Sequence, residues 1–209
     1  MKTVYASALM GLSLLFSGCQ PAKPAQQQHN TTTFHWFDYQ GQDQIFAEPL
    51  PKGSYQNPVA AGFFPDPSIT RSGDDYYMVA SSFSYTPGLP ILHSTDLVNW
   101  QLIGHALTRA SQVDMSGMQV SRGIFAPTIR YHDGTFYIIT TVVDKGGNFI
   151  LTAKDPAGPW SDPIWLPEVE GIDPDLFFDD DGKVYISHNG EAPGETLYEG
   201  HRAIWMWQY

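Results

Sequence analysis

"GFFPDPSITRSGDDYYMVASS", residues 62–82, is the stretch on which the fold turns. It has a glycine (Gly62), a short apolar run and a proline (Pro67), with Ile69 two residues further on. A polar turn at Gly73–Asp74 follows, then an aromatic, β-rich segment through Tyr77. Two strand-like runs around a polar turn read as a β-hairpin. The same layout returns in "GIFAPTIRYHDGTFYIITTVV", residues 123–143, and in "GIDPDLFFDDDGKVYISHNG", residues 171–190. Pro127 and Pro174 stand for Pro67, Ile129 and Leu176 for Ile69, and Tyr137 and Tyr185 for Tyr77.

A second element alternates with the first. "ILHSTDLVNWQLIG" begins at Ile91 and "ILTAKDPAGPWSDPIW" at Ile150. Both run strand, aspartate (Asp96, Asp155), tight turn, tryptophan (Trp100, Trp160), strand. Five hairpins thus follow one another, with no long amphipathic helical pattern between them. Two antiparallel hairpins make a four-stranded sheet. Sheets recurring every few tens of residues predict an all-β protein built of β-propeller blades. A long β-sandwich is the alternative from pattern alone.

In a propeller the first strand of each blade lines a central channel, and a residue opening that strand can face it. The residues before the repeated prolines are Asp66, Ala126 and Asp173. A following proline excludes the right-handed helical backbone, so extended backbone is expected at all three. Two of the three repeats would then aim a carboxylate at one cavity. The competing reading is that Asp-Pro only starts a turn.

Composition narrows the partners. The chain has 209 residues, a net charge of −11 and only eleven Lys plus Arg, which argues against nucleic acid or an anionic membrane surface. Sixteen prolines and nineteen glycines agree with many turns, and 14% aromatic residues is high. The first residues, "MKTVYASALMGLSLLFSGC", carry Lys2, an apolar run from Ala6 to Phe16 and then small residues before Cys19. This is a signal-peptide layout whose end resembles a bacterial lipobox. Residues 1–18 are expected to be removed and Cys19, the only cysteine, to carry lipid. An ordinary secretory signal is the plainer alternative. Residues 19–56 then form a polar tether and extension, and residues 57–209 the β domain. Membrane contact is expected through the lipid alone, with the protein exported to the periplasm or cell surface.

Two carboxylates in one pocket suit acid–base hydrolysis or a hard cation. Asp175, Asp179, Asp180 and Asp181 lack the EF-hand spacing and read as solvated turn residues. The seven histidines show no clustered ligand spacing, so neither metal nor other cofactor is expected. Paired carboxyl groups are the usual equipment of glycoside hydrolysis, and aromatic faces stack on sugars. Phe83, Tyr85 and Phe125 are candidates for stacking, or else for packing between blades.

Residues 57–107, "NPVAAGFFPDPSITRSGDDYYMVASSFSYTPGLPILHSTDLVNWQLIGHAL", resemble the opening of family 43 glycoside hydrolases, and the two later repeats continue the likeness. The resemblance implies a five-bladed β-propeller, of which this chain supplies about three blades. It implies β-xylosidase or α-L-arabinofuranosidase activity on oligosaccharides. Asp66 matches the general base of an inverting mechanism, Asp173 the aspartate that tunes the general acid's pKa, and Phe83 and Phe125 aromatic positions around the sugar. Asp175 stands where serine is more usual, adding charge near the site. The family's general acid is a glutamate in a Glu-Gly-Pro stretch. Glu199-Gly200 is followed by His201, not proline, and still belongs to the blade begun by Asp173, whereas the family's acid lies in the next blade, so Glu199 is rejected and the acid is expected beyond Tyr209. The 209 residues alone are expected to be inactive, with Trp205, Trp207 and Tyr209 exposed on an uncovered edge. The competing class is a non-catalytic sugar-binding surface lipoprotein.

Overall fold

A computed structural model of the chain describes residues 49–209; the signal-like segment and Cys19 lie outside them. Residues Leu50–Tyr209 form one compact unit. Every regular element in it is a strand.

The five hairpins form as the repeats predict. The first sheet holds β1 (Ser68–Ser72), β2 (Asp75–Val79), β3 (Gly88–Ser94) and β4 (Gln101–Leu107), in that order and antiparallel. The second holds β5 (Thr128–His132), β6 (Thr135–Val142), β7 (Gly147–Ala153) and the short β8 (Ile164–Trp165). The third holds β9 (Ile172–Phe178), β10 (Val184–Glu191) and β11 (Arg202–Gln208). The glycines that open the repeats, Gly62, Gly123 and Gly171, all have positive φ (134°, 101° and 85°), so the chain drops into each first strand through a bend that disfavours a side chain.

The aspartate–tryptophan elements share one turn chemistry. Asp96 Oδ1 accepts the Val98 and Asn99 amides, and Asp155 Oδ1 accepts the Ala157 amide. The tryptophans close the same turns, Trp100 Nε1 donating to Leu97 O and Trp160 Nε1 to Pro156 O. These aspartates thus do backbone work, as short polar side chains do in turns.

Burial speaks against a two-layer sandwich. Ile138, Phe149 and Leu151 pack with Val79, Leu89 and Ile91 of the first sheet, while Ile139 and Ile150 pack with Leu176 and Ile186 of the third. Successive strand residues point to opposite faces, so the middle sheet is covered on both. A two-layer sandwich would leave each sheet one solvated face. The first strands lie side by side, β1 against β5 and β5 against β9, with no ladder between them. Hydroxyls join them instead: Ser68 Oγ accepts the Ile129 amide, Thr70 Oγ1 accepts the Tyr131 amide, and Thr128 Oγ1 donates to Pro174 O.

On the outer strand of the third sheet, Ile204, Trp205, Met206 and Trp207 are exposed, as is Tyr209 just past it.

Candidate functional site

Asp66 and Asp173 each sit at the head of the first strand of a sheet, β1 and β9, which flank β5 on its two sides. Their backbone is not extended. φ is 51° at Asp66 and 56° at Asp173, in the left-handed region. The proline ring forbids the right-handed helical basin but leaves this one open, and aspartate enters it more readily than most residues. Phe83, with φ 48°, is a third case, and for a bulky aromatic that value is a genuine outlier. Asp66, Asp173 and Phe83 therefore hold strained backbone, which tends to gather where geometry serves function.

Asp66 is open to solvent and is steered from behind. Ser81 Oγ donates to its Oδ2 at 2.6 Å, and the Ser81 amide donates to Pro65 O at 2.9 Å. Ser81 itself is fully buried, so this anchor does not move with the surface. Asp173 also reaches solvent, yet its pKa is raised, first by loss of water around its carboxyl and second by repulsion from Asp66. The two carboxylates come from strands over a hundred residues apart and lie close enough to share a field.

An aromatic wall stands beside Asp66. Phe83 meets Phe125 edge-on at 5.5 Å between centroids and Phe63 at 6.0 Å, and Phe63 meets Tyr85 at 5.2 Å. Phe83 and Phe125 are half-buried, whereas Phe63 and Tyr85 are exposed. The packing and ligand-facing readings thus divide the cluster between an inner pair and an outer pair. Backbone fixes the inner pair: the Phe83 amide donates to Ile124 O at 2.8 Å and the Ile124 amide to Phe83 O at 3.0 Å. The Arg122 guanidinium lies over the Phe125 ring and pairs with Asp144.

Asp175 departs from its expected place. It lies on β9 and not in the hairpin turn, half-buried, with Arg130 Nη2 2.6 Å from its carboxylate. Its charge is therefore compensated by a residue of the second sheet and is not an added free charge. Asp180 and Asp181 do occupy the exposed turn after β9.

Sequence reading missed Phe63, Ser81 and Arg130. Phe63 was available as the aromatic beside Gly62, but nothing local assigns Ser81 or Arg130. A cavity of about 500 Å³ opens beyond Tyr85, lined in part by Pro87, Leu107, Arg109 and Met115, and its lining includes neither Asp66 nor Asp173. Among the described residues, no group of three or more His, Cys, Asp or Glu side chains is gathered to hold a metal.

The pattern of the family described as "Glycosyl hydrolases family 43" matches residues 55–209. A xylosidase/arabinosidase of Butyrivibrio fibrisolvens is 59% identical over 152 residues, covering 72% of this chain and 29% of that protein. A xylan 1,3-beta-xylosidase of a Vibrio species is 50% identical over 139 residues, covering 63% of this chain and 26% of that protein. Among solved structures, a GH43_12 protein retrieved from capybara gut metagenome superposes with a TM-score of 0.75 at 50% identity, covering 81% of this chain and 32% of that one. The chain therefore spans about a third or less of the length of these relatives.

Proposed function

The chain belongs to glycosyl hydrolases family 43, and from that membership we propose that it is the base-bearing part of an inverting glycosidase acting on xylose- or arabinose-containing oligosaccharides. The observation that carries this reading is the pair of exposed carboxylates, Asp66 and Asp173, each heading the first strand of its sheet, together with the Phe63–Phe83–Phe125 wall.

In this mechanism Asp66 takes a proton from a water molecule as that water attacks the anomeric carbon, inverting it. A water-accessible carboxylate held in direction by Ser81 suits that role. Asp173 works through its field: a negative charge near the general acid holds that acid protonated at neutral pH. The general acid is a glutamate outside residues 57–209, set roughly 6.5–9.5 Å from the base so that water fits between. The fold is completed as a five-bladed propeller, three sheets of which are those above, and the exposed face of β11 is covered by the next blade. Outside the cytoplasm, lipid on Cys19 anchors the protein; labelled palmitate entering the native chain but not Cys19→Ala tests this.

Turnover of aryl β-xylosides and aryl α-L-arabinofuranosides tests the reaction. The 209 residues alone should give none. The same residues within a longer chain carrying the glutamate should give turnover that Asp66→Asn removes. Turnover by the 209 residues, or activity that survives Asp66→Asn, would refute the assignment. The outward-facing Phe63 and Tyr85 favour a second reading, in which this chain binds sugar without cleaving it. Calorimetry separates the two: tight xylo-oligosaccharide binding by the 209 residues, unchanged by Asp66→Asn, would mark a binder.

A further inference from the structure

We propose that Arg130 is a positioning residue that sets the separation of Asp66 and Asp173 by tying together the strands on which they ride. Arg130 is on β5, the strand between β1 and β9. Toward β9 its Nη2 lies 2.6 Å from the Asp175 carboxylate and its Nε donates to Leu176 O at 3.1 Å. Toward β1, Nη1 reaches Ser68 Oγ at 3.5 Å, a weak contact reinforced by the Ile129 amide on the same oxygen at 3.1 Å. Nη1 also donates to Ile129 O at 2.8 Å, which fixes the guanidinium to its own strand.

The register gives these contacts their meaning. Ser68 lies two residues after Asp66, and Asp175 two residues after Asp173. One planar guanidinium therefore touches the equivalent position past each carboxylate. The three sheets have separate ladders, so side chains between the first strands must hold the distance across the central face. Thr128, donating to Pro174 O, braces the β9 side. Lysine would keep the charge but could not reach both neighbours, because an ammonium on a flexible stem lacks the fixed fork. The Arg130 and Asp175 side chains are each about a third exposed, so the pair is partly shielded from screening.

This inference rests on the reading that Asp66 and Asp173 share one site, and the test separates the two. The Asp173 carboxyl is titrated by carbon-13 NMR in the full chain, its resonance assigned by loss in Asp173→Asn. The titration is repeated with Asp66→Asn, in both the native and the Arg130→Lys backgrounds. Within each background the charge at position 130 is constant, so the effect of Asp66→Asn reports the coupling of the two carboxylates alone. With Arg130 present, Asp66→Asn should lower the Asp173 pKa; with Arg130→Lys that drop should shrink to less than half. A drop kept at half or more would overturn the positioning role and leave the shared site standing. No drop in the native background would end the shared-site reading and this inference with it. Should Arg130→Lys fail to fold, Asp175→Asn releases the β9 arm and is judged by the same criterion.

Discussion

Gly123→Ala should damage the aromatic wall from behind. Gly123 has φ +101°, which costs any residue with a Cβ about 1 kcal/mol. The added Cβ would also stand 2.4 Å from Phe83 O and 2.8 Å from its carbonyl carbon. These are backbone atoms and cannot swing aside. Relief requires Phe83 and Ile124 to part, loosening two hydrogen bonds of 2.8 and 3.0 Å that contribute about 1 kcal/mol each. The sum is about 3 kcal/mol, or roughly 6–12 °C in Tm for a unit of this size. Gly134→Ala is the control. Gly134 also has positive φ, +69°, but its Cβ would meet nothing within 4 Å, so only about 1 kcal/mol and roughly 2–4 °C are expected. Differential scanning calorimetry on both variants decides the matter. Equal Tm losses would show that the approach of Gly123 to Phe83 carries no energy and that the wall is not braced from this side.

Asp173→Asn should stabilise the fold at neutral pH by less than about 1 kcal/mol, because a solvent-open carboxyl is partly screened. A raised pKa means the folded state holds its proton above the ordinary value of 3.8, so ionisation at higher pH costs folding; the gain should fade as pH falls toward 3.8 in denaturant titrations. Ser81→Ala should leave Asp66 unsteered at a stability cost of about 1 kcal/mol, and in a longer active chain kcat should fall with KM little changed. Phe63→Ala should weaken xylo-oligosaccharide binding in calorimetry at least as much as Phe125→Ala, since Phe63 is 54% exposed and Phe125 is tucked behind Phe83. The opposite order would place the sugar on the inner pair.

The hairpins were legible because their causes are local. A turn residue, a proline and alternating apolar positions lie within twenty or so residues, and β1–β2, β5–β6 and β9–β10 formed where the repeats put them. The pairing of Asp66 with Asp173 was legible only through repetition: neither Asp-Pro says anything alone, but the same offset in two repeats places both at the heads of equivalent first strands, on either side of β5. Backbone direction at those aspartates was not legible. The clash with a following proline excludes one basin, and the choice between the remaining two depends on tertiary anchors such as the Ser81 amide on Pro65 O.

Asp175 shows why the rest of the site escaped. By composition it belongs with Asp179, Asp180 and Asp181, and a run of aspartates near a glycine reads as a turn. What sets it apart is Arg130, 45 residues earlier, which no local pattern connects to it. Arg130 in turn looked like an ordinary polar residue on an alternating strand. A side chain on the first strand of a middle sheet has a neighbouring sheet on either hand, and a buried or half-buried charge there must find its partners across a gap. In the first two repeats the residue three after the shared proline bridges to an adjacent sheet, whereas in the third that residue is the exposed Phe177. The bridging residues are Thr70 in the first repeat and Arg130 in the second: Thr70 accepts the Tyr131 amide, and Arg130 donates to Leu176 O.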